Sequence, residues 1–328
     1  MPVAVAIELA ILALFVVATL VGAVLVPFDH RRRLLRVGTM GVAYLSVELM
    51  ALVALWALWL SRWAHSDEWW EDVNARLLGW VLGLIIGAAG RCLGFKVTVD
   101  QPPGLAPLSE SPPVLVLARH GGLGDSVALV WLLLAHYQRK AKVVLKAALQ
   151  WEPLLDVTLN RLGACFLPPA PTPGEERADR LGRLAAALKP GDALLLFPEG
   201  ANWTPRRRLR AIERLRAAHK RRAADVAALM DHVLPPRPAG VIACLDARPG
   251  IAVVVFAHTG LDTLTRAGQT WRAIPFERAM KVRWWPSARA PEGEEAQLAW
   301  LTAEWAVVDE WIDSQQPPVS KDTAATSE

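Results

Sequence analysis

The sequence predicts an α/β domain, a sheet flanked by helices, preceded by apolar helices long enough to cross a membrane. Three observations lead there. Up to about residue 95 the apolar runs are long and almost uninterrupted, whereas from residue 96 they shorten to strand length and alternate with helical stretches. Two segments rich in reactive side chains, Arg119-His120-Gly121-Gly122-Leu123-Gly124-Asp125 and Phe197-Pro198-Glu199-Gly200, each sit at the end of such a short run. A strand end is where an α/β sheet presents its chemistry.

Residues 3–26 are apolar except for Glu8 and long enough to span a hydrocarbon core. The run has no basic leader, and a positive block follows it, His30-Arg31-Arg32-Arg33 with Arg36. That pattern favours a retained helix over a cleaved signal and places the block in the cytoplasm. A second apolar run, 37–60, is interrupted by Glu48. Residues 61–74, with Asp67, Glu68, Glu71 and Asp72, read as an acidic link on the outer side, after which 77–94 returns the chain. Glu8 sits near a helix end, which accounts for its polarity, while Glu48 lies deeper and has no explanation in the sequence. Trp56, Trp59, Trp63, Trp69, Trp70 and Trp80 crowd around the link as an interfacial belt. The cysteines, Cys92, Cys165 and Cys244, are odd in number and lack metal-type spacing, as reduced thiols on a cytosolic face would be.

Pro102, Pro103, Pro107, Pro112 and Pro113 punctuate the boundary. Beyond it the pattern predicts strands at 114–118, 142–146, 164–167 and 193–197, with helices at 124–137, 147–162 and 175–188 between them. A basic helix over 206–232 follows, then apolar runs of strand length at 241–245 and 252–257. The polar, proline-bearing tail from 315 has the composition of a disordered segment. The chain of 328 residues, mean hydropathy +0.26, thus divides into a membrane region over 1–95 with two to three helices, a domain over 96–314 and a tail over 315–328.

The chemistry follows from the two segments. His120 has a carboxylate five residues on, Asp125, close enough to hold the imidazole tautomer and to stabilise its protonated form. Glu199 precedes a glycine, where backbone N–H groups can approach a phosphate without a side chain in the way. A base and a phosphate cradle suit acyl transfer onto a phosphorylated alcohol. From Arg206 to Arg222 basic residues are opposed by Glu213 alone, a charge that suits anionic headgroups or the phosphates of an acyl carrier. Nucleic acid fits poorly, because no aromatic platform is interleaved with the charge. Gly124-Asp125-Ser126-Val127 resembles the nucleophile block of GDSL-type serine hydrolases, with Ser126 attacking an ester. The Asp-x-x-His pair of that family is missing, since Val255 stands three residues before His258. A non-catalytic lipid-binding membrane protein is the remaining alternative.

His120-x4-Asp125 followed by Phe197-Pro198-Glu199-Gly200 resembles the signature of the glycerolipid acyltransferases, the family that includes 1-acylglycerol-3-phosphate acyltransferase. Lys146-Ala147-Ala148-Leu149-Gln150-Trp151-Glu152-Pro153 and Val233-Leu234-Pro235-Pro236-Arg237 resemble its second and fourth blocks. The resemblance implies a mixed sheet flanked by helices and transfer of a fatty acyl group from acyl-CoA or acyl carrier protein to the free hydroxyl of a lysophospholipid, by default 1-acylglycerol-3-phosphate. It implies no cofactor beyond the thioester co-substrate, no metal, membrane lipids as partners, and a plasma membrane setting with the domain facing the cytoplasm. His120 and Asp125 would be catalytic, and Phe197, Pro198, Glu199 and Gly200 would line the acceptor, with Glu199 either bonding its glycerol hydroxyl or holding the loop. The family commonly has an arginine two residues after the glycine. Here that position is Asn202, and Leu167 is followed by Pro168 and Pro169 where another arginine is often found. Lys146, Arg206 and Arg207 are the candidate substitutes, with Arg161 further away.

Overall fold

The computed structural model describes residues 2–101, 108, 112–122, 124–146, 153–167, 177–262, 264 and 267–316. Three helices come first, α1 (Pro2–Val24), α2 (Arg33–Leu60) and α3 (Asp67–Leu93), each long and apolar enough to cross a membrane. The sheet-bearing part runs β1 (Val97–Asp100), β2 (Val114–Ala118), α4 (Asp125–Trp131), β3 (Lys140–Lys146), α5 (Pro153–Arg161), β4 (Cys165–Leu167), α6 (Arg177–Ala186) and β5 (Asp192–Leu196). It continues with α7 (Pro205–Ala217), α8 (Arg221–Leu229), α9 (Pro238–Ala247), β6 (Ala252–Thr259), α10 (Ala267–Ala273), β7 (Met280–Pro286) and α11 (Glu294–Ser314).

Every residue of β2 and β5 is buried, as strands without polar alternation must be when both faces are covered. They lie at the centre of a seven-stranded sheet of order β1-β7-β6-β2-β5-β3-β4. The strands from β6 to β4 are parallel, β7 is antiparallel to β6, and β1 is parallel to β7, so the sheet is mixed. One face packs on α3, α4 and the turn after α4 through Leu78, Leu82, Leu129 and Leu133. The other packs on α6, α9 and α11 through Leu181, Cys244, Trp305 and Ile312. Fully burying one such leucine stabilises by roughly 1.5–3 kcal/mol.

α3 is thus a wall of the sheet's core. Gly79 and Gly83 permit the approach: a Cβ at Gly79 would lie 3.2 Å from Leu134 Cβ, and one at Gly83 3.3 Å from Trp131 Nε1. Ser66 caps its start, accepting from Trp69 N at 3.3 Å, and Asp67 and Glu68 suit the positive end of the helix dipole. The acidic residues expected on the outer side of a membrane therefore open a helix, and Glu71 and Asp72 face the domain. Asp72 pairs with Lys140 at 2.7 Å, and Glu71 with Lys189 at 3.1 Å and Lys142 at 3.8 Å. The link and the domain are therefore in contact and not separated by a membrane, because these lysines gather at the start of β3 and the end of the α6 connection, where carboxylates neutralise them. At the other end of α3, Phe276 N donates to Leu93 O at 2.7 Å. α2 is held likewise: Arg33 Nε donates to Ile274 O at 3.3 Å, and Arg161 Nη1 and Nη2 to Leu55 O at 3.2 Å. Both helices, about 40 Å long at 1.5 Å per residue, run along the domain.

α1 packs on α2, with Gly22 against Leu35, Gly38 against Thr19 and Gly41 against Phe15. That antiparallel register brings Glu8 to the level of Glu48, and both are buried. Other differences are local. The helix after β2 widens at Leu132–His136 into a π-helical turn, with Tyr137 N donating to Leu132 O at 2.9 Å. The basic helix is two helices, parted where His219 takes φ +56°. The run 241–245 is helical, because Pro238 opens α9 and Val241, Cys244 and Leu245 recur at helical spacing. β1, β7, α10 and α11 are additions to the expected pattern. The prolines of 102–107, the block residues 147–152, Pro168, Pro169 and the tail over 317–328 lie outside the described residues.

Candidate active site

β2 ends at Ala118, and the chain turns through Gly124, φ +84°, into α4, whose first residue is Asp125. The turn folds around that carboxylate. Asp125 Oδ2 accepts from His120 Nδ1 at 2.9 Å, Gly121 N at 2.9 Å and Gly122 N at 3.2 Å, while Oδ1 accepts from Ser126 N at 2.5 Å and Ser126 Oγ at 3.0 Å. Burial opposes its charge, but the hydrogen bonds and charges of His120 and His258 outweigh it and hold the carboxyl well below the usual carboxylate range. An ionised Asp125 makes His120 Nδ1 the donor, which leaves the lone pair on Nε2. The His120 side chain is 22% exposed, so that lone pair is reachable. Ser126, whose hydroxyl donates to Asp125, has no histidine partner among the described residues, which removes the support for a serine nucleophile.

Phe197 follows β5, and its ring stacks at a tilt on His120 with centroids 4.6 Å apart. Glu199 is fully buried. Its Oε1 accepts from His120 N at 3.1 Å and its Oε2 from Leu234 N at 3.0 Å. Each oxygen is thus engaged by a backbone amide, an arrangement that holds the two loops together. Burial pushes its carboxyl up to about 8, against the opposing charge of Arg119. Pro198 O accepts from Arg237 N at 2.8 Å. Gly200 adopts φ +67°, and a Cβ there would lie 3.2 Å from Arg237 Nη1, so the glycine leaves room for that guanidinium. The three segments around residues 120, 199 and 235 therefore form one constellation.

Two further residues complete it, and the sequence reading assigned neither a role. Arg119 is buried, donates from Nη1 to His258 O at 2.9 Å and from Nη2 to His232 O at 2.6 Å, and pairs with Asp262. Burial works against the Asp262 charge, but Arg119 holds that carboxyl below its ordinary value. His258 is fully buried at the end of β6, with Nε2 2.9 Å from Arg119 O and 3.5 Å from Asp125 Oδ2. The signal for it was present in the strand pairing: Ala118 lies opposite Phe256, which puts His258 level with His120.

The expected cations fare differently. Lys146 is the last residue of β3, and its side chain lies outside the described residues. Arg206 is exposed at the start of α7 and lines none of the site, whereas Arg207 donates to Asn202 O at 3.0 Å and lines a groove beside Glu199. Asn202, where an arginine was expected, donates to Gly122 O at 3.4 Å. Arg161 instead pins α2. Among the described residues, no group of three or more His, Cys, Asp or Glu side chains could hold a metal ion.

No curated protein matches the chain. The family model described as Acyltransferase matches residues 101–238, a span that opens at the end of β1 and closes at the first residue of α9. That span supplies both turns around His120 and the arginine against Gly200, while His258 and Asp262 come from beyond it. The family that the sequence resembles is the family found, and residues 101–238 are an acyltransferase domain of the glycerolipid acyltransferase family.

Proposed function

We propose that the protein is a membrane-bound enzyme that transfers a fatty acyl group from a coenzyme A or acyl carrier protein thioester to the free hydroxyl of a lysophospholipid, with 1-acylglycerol-3-phosphate the first acceptor to test. The observation that carries this reading is the 2.9 Å contact of His120 Nδ1 with a buried, ionised Asp125. It commits the other ring nitrogen to accepting a proton. As the acceptor oxygen attacks the thioester carbonyl, His120 Nε2 takes the hydroxyl proton, a contribution typically of ~10²–10⁴ in rate. The tetrahedral intermediate collapses with cleavage of the C–S bond, and the imidazolium returns the proton to the departing sulfur. Ester and free thiol result, and His120 is neutral again. Asp125 stabilises the imidazolium, and Glu199 fixes the backbone from which His120 projects.

Three long apolar helices and the basic turn that joins α1 to α2 support membrane association, with the domain on the cytoplasmic side of the plasma membrane. Both ends of α2 and α3 are tied to the domain, which favours a helical layer embedded alongside it, with the exposed apolar side chains of α1, such as Leu14, Leu20 and Val24, in lipid. The deciding experiment is an assay in membranes with labelled acyl-CoA and a panel of lysolipids. His120→Ala should abolish transfer, and Ser126→Ala should retain most of it. Loss of activity in the serine variant, with free fatty acid as the parent's product, would replace this reading with a hydrolase.

A further inference from the structure

Arg207, Arg210 and Arg214 are spaced i, i+3, i+7 on α7 and so share one face of the helix. Arg237 faces them from the loop against Gly200, and together they line an open groove of about 560 Å³ whose floor is Glu199. None of the four has a carboxylate within ion-pair distance among the described residues, although Arg208 on the neighbouring face pairs with Asp231 at 2.7 Å. Four exposed cations gathered around a concavity repel one another until an anion enters it.

We propose that this groove receives the phosphate groups of a coenzyme A thioester and is the nucleotide subsite for the donor of the proposed transfer, an inference that rests on that reading. The arginines of α7 extend for about 10 Å along the groove, more than a single phosphate monoester occupies and a good match for a diphosphate and a ribose phosphate held apart. A guanidinium recognises such oxygens with paired, charge-assisted hydrogen bonds. Glu213 stands on the same wall. It would repel a bare anion, yet it offers an acceptor to an adenine amino group or a ribose hydroxyl. The floor gives the connection to the chemistry, since the Glu199 carboxylate that closes the groove also holds His120 N at 3.1 Å. On this proposal the thioester arm passes from the groove around Glu199 to the imidazole.

The test uses the full chain in detergent micelles and adenosine 3′,5′-bisphosphate as the probe. Titration calorimetry should show binding by the parent and a loss of about 10- to 100-fold in the Arg210→Ala/Arg214→Ala double variant. The variant should have unchanged thermal melting, an acyl-CoA KM raised to a similar extent, and an unchanged KM for 1-acylglycerol-3-phosphate. A raised acceptor KM with intact bisphosphate binding would give the groove to the acceptor phosphate and overturn the proposal. So would weakened attachment to anionic vesicles with bisphosphate binding unaltered, which would assign the arginines to the lipid surface. A parent that binds the bisphosphate but transfers no acyl group would leave the groove standing and refute the activity instead.

Discussion

Asp125 and Glu199 approach His120 from two different turns, both are 1% exposed, and their ionisation is opposite. Asp125 receives hydrogen bonds from two backbone amides of its own turn, an imidazole, and the amide and hydroxyl of Ser126. Glu199 receives two amides, one from each of the segments it joins. Equal burial with unequal donation therefore yields a carboxylate held charged and a carboxyl pushed up to about 8. The charged group faces the imidazole, and the group drawn towards neutrality lies behind it. In the proposed transfer one turn supplies the electrostatics of proton transfer, and the other supplies its geometry.

The largest effect expected of any change to this pair comes from Asp125→Asn. The amide offers no charge to an imidazolium and removes the preference for a protonated Nδ1, so kcat should fall by about 10³–10⁴-fold with little change in KM, as steady-state kinetics would show. An unchanged kcat would mean that His120 is not the base. Glu199→Gln comes next. Its amide nitrogen cannot accept one of the two backbone N–H groups, and leaving such a buried donor unpaired costs about 1–3 kcal/mol. Calorimetric melting should register that loss, with a kcat deficit from the displaced His120. The pH dependence sharpens the contrast. The stability contributed by a neutral Glu199 is fully present below its ordinary value of 4.5 and is lost as pH rises through about 8. The parent's melting temperature should therefore decline across that window, and the Gln variant should lose this decline. The smallest effect is reserved for His258, which supports Asp125 without facing the substrate. His258→Leu should lower kcat by about tenfold and shift the pH profile of kcat/KM, while His258→Gln, which keeps a nitrogen for Arg119 O, should recover most of both. Equal loss in the two variants, with an unmoved profile, would reduce His258 to packing.

The same contrast explains what was legible in the sequence. His120 and Asp125 lie five residues apart, so the turn that unites them is local and its chemistry follows from residue type. The Glu199 motif was equally visible, but its role depends on burial, and burial depends on a loop thirty-five residues away that supplies Leu234 N. His258 required strand register, which only the assembled sheet fixes. Central strands β2 and β5 announced themselves as unbroken apolar runs, whereas β7, an antiparallel partner with Lys281 and Arg283 on its less buried positions, gave an alternating signal beside a basic stretch. The segment 241–245 is short enough for its apolar run to suit either state, and Pro238 before it was the cue for a helix. In α11, Leu301, Trp305, Val308 and Ile312 recur at helical spacing, a signal present in the chain that the reading of the strands passed over.

The placement of Leu78 and Leu82 of α3 in the core beside β2 has a practical corollary. A fragment beginning at residue 96 would bare one side of the sheet and strip Lys140 and Lys189 of their counter-charges. α3 and the sheet share one hydrophobic core, so detergent that loosens the first loosens the second. Purification has to begin from the whole polypeptide.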